Sequence, residues 1–241
     1  MATIDFSTRS QQPELMDDTS VGFEELRNCL ADLARVNALT QAHRPTLAFL
    51  DALVSRMGRL ARPLQILDVG SGYGDTLRHI DTWACQRGVA VSLAGVDLNP
   101  WSCKAATDAT PSGRGIRWVT ADAFAFEPTG GIDVVVSSLF THHLPEAAIV
   151  RFIRRMENSA RLGWFVNDLH RHPVPYYLFR TFAKLADYHP FVQHDGPVSI
   201  TRAFVPADWR RMVEAAHVDV SSVNIRRSLP FRLTVSRFKG P

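Results

Sequence analysis

The stretch that decides the fold is Leu64-Gln65-Ile66-Leu67-Asp68-Val69-Gly70-Ser71-Gly72-Tyr73-Gly74-Asp75. An apolar, β-forming run over residues 65–69 ends in glycines at alternate positions, and a helical pattern that Asp75 can cap follows over residues 76–87. Glycine permits backbone angles and a close approach that a Cβ would prevent, and a helix start supplies free N–H donors. The sequence therefore predicts a strand, a tight turn and a helix that together hold an anionic or carboxylate-bearing ligand.

The spacing of these glycines distinguishes between two nucleotide-binding patterns. The dinucleotide pattern Gly-x-Gly-x-x-Gly would need a glycine at position 75, but Asp75 stands there and the third glycine is Gly74. The stretch instead resembles motif I, Asp/Glu-x-Gly-x-Gly-x-Gly, of the class I S-adenosylmethionine-dependent methyltransferases. The resemblance implies that S-adenosylmethionine is the cofactor and that its first contacts come from Asp68, Gly70, Ser71 and Gly72.

Three further apolar runs end in residues that match the same family in order. The run over residues 91–97 ends in an acid that can grip the two vicinal hydroxyls of a ribose, as in motif II. The run over residues 116–120 precedes Asp122, which matches the acid that receives the adenine amino group in the family. The run over residues 132–140 precedes residues 141–144, which resemble the histidine turn of motif IV. The resemblance covers roughly residues 60 to 238, and it implies further cofactor contacts from Asp97, Leu98, Asn99, Asp122, Ala123, Ser138 and Leu139.

The resemblance and the pattern together predict an α/β fold, a doubly wound Rossmann-like sheet of seven strands. Residues 1–60 are predicted to form a polar tail and a helical cap, and residues 61–241 the cofactor-binding domain. The aromatic-rich segment 173–205 is predicted to be a helical lid on the acceptor site, the alternative being an amphipathic helix packed on the core. The last two strands, expected over residues 218–225 and 231–238, would form the antiparallel hairpin of the family's sheet.

Arg44 is a second candidate for binding the cofactor. His43-Arg44 faintly resembles the His-Arg pair before a helix in the quinone-biosynthesis C-methyltransferases, where an arginine approaches the cofactor's carboxylate. A guanidinium can bind a carboxylate through two parallel hydrogen bonds. The alternative is a surface cation at a helix start.

The far end of the predicted fifth strand carries the candidate catalytic residues. Asp168, His170 and His172 would share one face of an extended chain, because side chains alternate along a strand. Deprotonation of a hydroxyl acceptor favours His170 as the general base, His142 as the next choice and Asp168 as a carboxylate that orients either; each histidine is alternatively a wall residue. No metal is predicted there, because magnesium prefers oxygen ligands and two imidazoles suit it poorly.

Composition sets limits on partners and location. The formal charge is +3 over 241 residues with a sequence pI near 9.0, and the arginines are scattered, so nucleic acid is a disfavoured partner. Three widely spaced cysteines and the absence of a long apolar run favour a protein of the cytoplasm that does not span a membrane.

The function favoured by the sequence is methyl transfer to a small, largely apolar acceptor. A phenol or hydroxyl of a polyketide- or quinone-like metabolite is preferred, with O-methylation ahead of C-methylation. Two alternatives remain: an RNA or protein methyltransferase, favoured by the pI and by the late arginines, and an adenosyl-binding protein without catalysis. The late arginines are Arg226, Arg227, Arg232 and Arg237.

Overall fold

A computed structural model of the chain describes residues 4–58 and 61–240. Its centre is a seven-stranded sheet in the order β3-β2-β1-β4-β5-β7-β6, in which only β7 runs antiparallel to its neighbours. This is the predicted Rossmann-like class of sheet. The strands are β1 (Leu64–Val69), β2 (Val91–Asp97), β3 (Ile116–Thr120), β4 (Ile132–Ser138), β5 (Ala160–Leu169), β6 (Asn224–Ser228) and β7 (Arg232–Phe238).

Helices cover both faces of the sheet, so the core has two layers. Phe152, Trp164 and Trp209 belong to the larger cluster, and Phe49 and Ile80 to the cluster on the opposite face. The central strands are buried on both sides, which explains their nearly continuous apolar sequence. The helices are α1 (Phe23–Leu39), α2 (Arg44–Met57), α3 (Asp75–Arg87), α4 (Pro100–Asp108), α5 (Glu146–Ser159), α6 (Pro173–Leu185), α7 (Pro190–Arg202) and α8 (Pro206–Ala215).

The strand order fixes where a ligand can bind. From β1 the chain crosses to β2 on one side, whereas β4 pairs with β1 on the other side. This reversal leaves a crevice beyond the carboxyl ends of β1 and β4, where open α/β sheets bind their ligands. Among the described residues, no helix is both long and apolar enough to cross a membrane.

Two local predictions were wrong. The sixth strand begins at Asn224 rather than at residue 218, because residues 220–222 form a short 3₁₀ turn whose Ser221 amide donates to Asp219. Asp75 does not cap α3: the N-cap is Gly74 in the left-handed region, and the Asp75 carboxylate instead accepts a hydrogen bond from Asn37 Nδ2 at 3.2 Å. Asp75 therefore ties α3 to α1.

The polar segment before α1 is bound to α7. Arg9 Nε donates to the Arg202 carbonyl at 2.8 Å, and the amides of Leu15 and Met16 donate to the buried Asp195 carboxylate at 2.8 and 3.0 Å. Since α7 and α6 occupy the segment predicted as a lid, the N-terminal segment and this insertion form one continuous layer. The proposed division at residues 60 and 61 falls partly outside the described residues and stays a prediction.

Candidate active site

One large cavity of about 800 Å³ lies at the carboxyl ends of β1, β2, β4 and β5. Its size is in the upper part of the ~300–1,000 Å³ range of small-molecule sites. One wall is polar and consists of strand ends and turns. The other wall is mainly apolar, and it includes Leu30 and Leu33 of α1 and Leu178, Phe179 and Phe182 of α6.

The glycine turn after β1 forms the floor of this cavity. Gly70 has a φ of +71°, and a Cβ there would lie 2.4 Å from the Phe140 ring, so only glycine fits. Gly72 has a φ of +48°, and its amide donates to Asp97 Oδ2 at 2.9 Å. The other oxygen of Asp97 accepts from the Asn99 amide at 3.0 Å, and burial raises the pKa of this carboxyl.

All but three of the predicted site residues line the cavity. The cavity wall includes Gly70, Ser71, Gly72, Asp97, Leu98, Asn99, Asp122, Ala123, Ser138, Leu139, His142 and His170. Leu139 has a φ of +56°, a strained conformation for a branched residue, and its amide donates to the Asn167 carbonyl. Arg44, Asp68 and Asp168 do not reach the wall.

Arg44 is placed differently from the prediction. The residue begins α2, which turns His43 and Thr46 into the protein and leaves the Arg44 side chain exposed. It is therefore a surface cation at a helix start, the alternative that the sequence left open.

Asp68 lies directly behind the glycine turn and is 1% exposed. Burial, with the nearby carboxylates of Asp75 and Asp97, raises the pKa of Asp68 well above its ordinary value. Its Oδ1 has no hydrogen-bond partner among the described residues. An unpaired buried carboxyl beneath a ligand cavity suits a cationic or hydrogen-bond-donating ligand group.

Arg232 is a cavity residue that was considered in the sequence only as one of the four late arginines. It is buried at the start of β7 and lines the cavity, and burial lowers its pKa to about 10. Nη2 lies 3.3 Å from Thr40 Oγ1 and 3.5 Å from Asn37 Oδ1, whereas Nη1 has no partner in the described chain. The available signal was an arginine directly after Phe231, at the first position of a strand whose next three residues are Leu233, Thr234 and Val235.

His142 and Asp168 form a buried pair across β4 and β5. His142 Nδ1 lies 2.7 Å from Asp168 Oδ1, and Thr141 Oγ1 donates to Asp168 Oδ2 at 2.5 Å. Burial alone would raise the pKa of Asp168, but His142, Thr141 and the Leu169 amide hold it far below its ordinary value. The carboxylate is therefore ionised and favours the Nδ1–H tautomer of His142.

The other ring nitrogen of His142 faces a residue from the N-terminal segment. His142 Nε2 lies 3.7 Å from Glu14 Oε1, and His143 Nε2 lies 3.8 Å from Glu14 Oε2. Burial opposes protonation of His143, but the carboxylates of Asp17 and Glu14 raise its pKa above the ordinary value. No sequence pattern pointed to Glu14, since it lies in a polar stretch without periodicity.

The predicted set of Asp168, His170 and His172 does not converge on one point. The Asp168 carboxylate is bonded to the His142 ring. His172 is the N-cap of α6, and its Nδ1 accepts a hydrogen bond from the Val174 amide. His170 lines the cavity, and no hydrogen bond from its ring is present among the described residues. Burial and the nearby positive charges of Arg227, His172 and Arg171 lower the pKa of His170.

Comparison with known proteins agrees with this architecture. Residues 66–163 match the sequence model of a methyltransferase domain. Among solved structures, a protein of Nostoc punctiforme classed as an O-methyltransferase is 16% identical with a TM-score of 0.57, over 87% of this chain and 60% of that one. This chain thus spans less than two thirds of that protein.

Two more solved structures have a similar fold. Magnesium protoporphyrin IX methyltransferase from Synechocystis, crystallised with S-adenosylhomocysteine, is 15% identical with a TM-score of 0.54, over 92% of this chain and 90% of that one. A plantazolicin methyltransferase is 14% identical with a TM-score of 0.61, over 91% and 98%. No curated protein sequence matches the chain significantly.

The sheet order, the glycine turn and the cavity define a class I methyltransferase fold. The matched methyltransferase domain, residues 66–163, and this fold both agree with S-adenosylmethionine, the cofactor predicted from the sequence. The donor set fits this cofactor, because unpaired acids and a buried guanidinium suit a ligand that carries a sulfonium, an ammonium and a carboxylate.

Proposed function

We propose that the protein transfers a methyl group to a small, largely apolar acceptor, by O-methylation of a phenol or hydroxyl in a polyketide- or quinone-like metabolite. The observation that carries this proposal is the apolar wall contributed by α1, α6 and α7 to the cavity that also contains the glycine turn. The similarity to a protein classed as an O-methyltransferase supports oxygen as the acceptor atom.

We assign the cofactor to the polar wall. Gly70, Ser71 and Gly72 offer close backbone approach, and the side-chain oxygens of Asp97 can accept from the ribose hydroxyls. Leu98, Asn99, Asp122, Ala123, Ser138 and Leu139 enclose the adenosine, as the family resemblance implies.

The carboxylate of the cofactor is assigned to Arg232 instead of Arg44. Arg232 is buried, lines the cavity and has one guanidinium nitrogen without a partner in the described residues, whereas Arg44 is exposed. A carboxylate would satisfy that nitrogen and neutralise the buried charge.

Methyl transfer from a sulfonium is an in-line displacement with a good leaving group already present. The protein's contribution is to align the acceptor, exclude water and accept one proton from a hydroxyl. His170 is the proposed base, because its lowered pKa keeps the ring neutral at physiological pH and its ring faces the cavity. His142, whose two nitrogens face Asp168 and Glu14, is the second choice.

A nucleic-acid acceptor has less support. The four late arginines do not form one exposed patch: Arg232 is buried, and Arg237 pairs with Glu157 at 3.0 Å. Arg226 and Arg227 remain exposed on β6. The three cysteines, Cys29, Cys85 and Cys103, are all free thiols, which supports the proposal of a reducing, cytoplasmic location.

The test is to incubate the protein with methyl-labelled S-adenosylmethionine and an extract of its source cells. Label is then counted separately in organic-soluble metabolites and in macromolecules, with heat-inactivated protein as the control. We expect label in the organic fraction, which also yields the product for identification. Label in RNA or protein alone would overturn the acceptor class while leaving the fold and the cofactor in place.

A further inference from the structure

Three side chains from two separate parts of the chain converge beside the cavity. Glu14 comes from the segment before α1, and His142 and His143 from the turn after β4. One ligand atom of each lies within 4.8 Å of the others, and all three residues line the cavity. For comparison, the ligand atoms of a tetrahedral zinc ion with bonds of ~2.0–2.2 Å lie ~3.3–3.6 Å apart.

A carboxylate lies behind each of the two histidine rings, on the side away from Glu14. Asp168 accepts from Nδ1 of His142, and Asp17 Oδ1 lies 3.0 Å from Nδ1 of His143. Each carboxylate therefore holds the Nδ1 side of its ring, so that Nε2, the ring atom nearest to Glu14, is the nitrogen left to coordinate an ion. A carboxylate behind each histidine is the arrangement that orients imidazoles bound to a metal.

At the centre of this arrangement, one oxygen of the Glu14 carboxylate accepts no hydrogen bond from the described residues. Its side chain is 1% exposed, and Oε1 makes no hydrogen bond within the described chain. Arg202 lies 3.7 Å away, but its donors are directed to the carbonyls of Gln12, His142 and His143. A metal ion bound between Glu14 and the two rings would satisfy the buried oxygen that Arg202 does not reach by a hydrogen bond.

We propose that Glu14, His142 and His143 bind one divalent transition-metal ion of the zinc type, with an open coordination position toward the cavity. Two imidazoles and one carboxylate are ligands that suit zinc and its neighbours and suit magnesium poorly. Three protein ligands with an open position are typical of a catalytic rather than a structural site. In the proposed reaction, and resting on it, the ion would hold the acceptor oxygen and increase its acidity.

The first test measures metal retention without cofactor or acceptor. Chelator-treated protein is incubated with Zn²⁺, freed of unbound ions and assayed by plasma mass spectrometry, and we expect about one zinc per chain and no retained Mg²⁺. Co²⁺ should give the visible absorption of a four- or five-coordinate site. Zn²⁺ should also raise the melting temperature, because only the folded state contains the site.

Variants connect the ion to these residues. Glu14→Gln and His143→Gln should each lower zinc affinity by at least about tenfold, and so should Asp17→Asn, whose partly exposed position spares the fold. His172→Gln is the matched control, since this imidazole caps α6 and should leave zinc binding unchanged.

The proposal would be overturned if the protein retained no more zinc than a control protein without a zinc site. Equal zinc affinity in all four variants would overturn it as well. The cluster would then hold only a proton, with His143 as the imidazolium partner of Glu14. Because no methyl transfer is measured, this outcome is independent of the proposed function. Conversely, label transfer without zinc binding would retain the enzyme and reject the metal site.

Discussion

His142 and Asp168 lie 26 positions apart in the chain, yet Nδ1 of the first is 2.7 Å from Oδ1 of the second. The contact joins the turn after β4 to the end of β5, the two strands that meet beside the crevice. The ionised carboxylate is satisfied by Thr141, His142 and the Leu169 amide, so it serves as a fixed anchor for the turn.

Asp168→Asn is expected to destabilise the protein by about 1–3 kcal/mol, because a buried network loses its charge. The folded pKa of Asp168 is depressed, so its stabilising contribution is present above the unfolded value of about 3.9 and fades as the pH falls below it. Urea denaturation of both proteins at neutral and acidic pH measures this difference. If the difference in free energy of unfolding between the two proteins stayed constant or grew on acidification, Asp168 would not be ionised in the folded protein.

Asp97→Asn should weaken S-adenosylmethionine binding about ten- to a hundredfold, because charge-assisted hydrogen bonds of about 1.5–3 kcal/mol are lost. The asparagine keeps the size of the side chain near Gly72 and Asn99. Calorimetric titration measures the affinity, and Asp108→Asn, on the surface beside Lys104, is the control. Equal affinities in both variants would remove Asp97 from the cofactor site.

Arg232→Met is expected to separate stability from binding. Removing a buried cation that lacks a full set of partners should leave the melting temperature unchanged or raise it. Cofactor affinity should nevertheless fall about ten- to a hundredfold, because the carboxylate loses its guanidinium. Arg226→Met, at an exposed position of β6, is the control. Unchanged cofactor affinity would reject the assignment of Arg232.

His170→Ala should lower turnover by about 10²–10⁴ while cofactor affinity stays intact. Catalysis needs the neutral ring, which exists above its pKa, and that pKa lies below the ordinary 6.5. The wild-type rate should therefore be on its plateau at pH 7 and decline only in more acidic buffer. Removing a positive neighbour by Arg227→Ala should move this decline toward higher pH. Near-normal turnover of His170→Ala would transfer the role to His142.

Phe182→Ser should raise the KM for an apolar acceptor about ten- to a hundredfold, because burying an aromatic ring contributes about 1.5–3 kcal/mol. Phe182 lies on α6, lines the cavity and is 42% exposed, so its replacement spares the core. Steady-state kinetics with the acceptor identified by labelling measures the effect. Leu185→Ser, on the same helix but absent from the cavity wall, is the control.

The locally encoded parts of the site could be predicted from the sequence. Gly70 and Gly72 form the turn because glycine adopts the positive φ angles that the turn needs. The position of Asp97 could be predicted because it is the last residue of an apolar strand. The start of β6 could not be predicted, because the Asp219 turn competes with strand pairing. Arg44 was misplaced because a helix start does not reveal which way its side chain points.

The sequence by itself determined the order of strands and helices and the glycine turn, since each depends on neighbouring residues and periodicity, and its resemblance to motif I predicted the class of cofactor. Only the tertiary structure decided that Glu14 meets His142 and His143 and that Arg232 enters the cavity. These residues come from distant segments, and their meeting depends on how the N-terminal segment crosses α7 and how β7 enters the sheet. Packing between elements, which no short pattern encodes, assembles the acceptor side of the site.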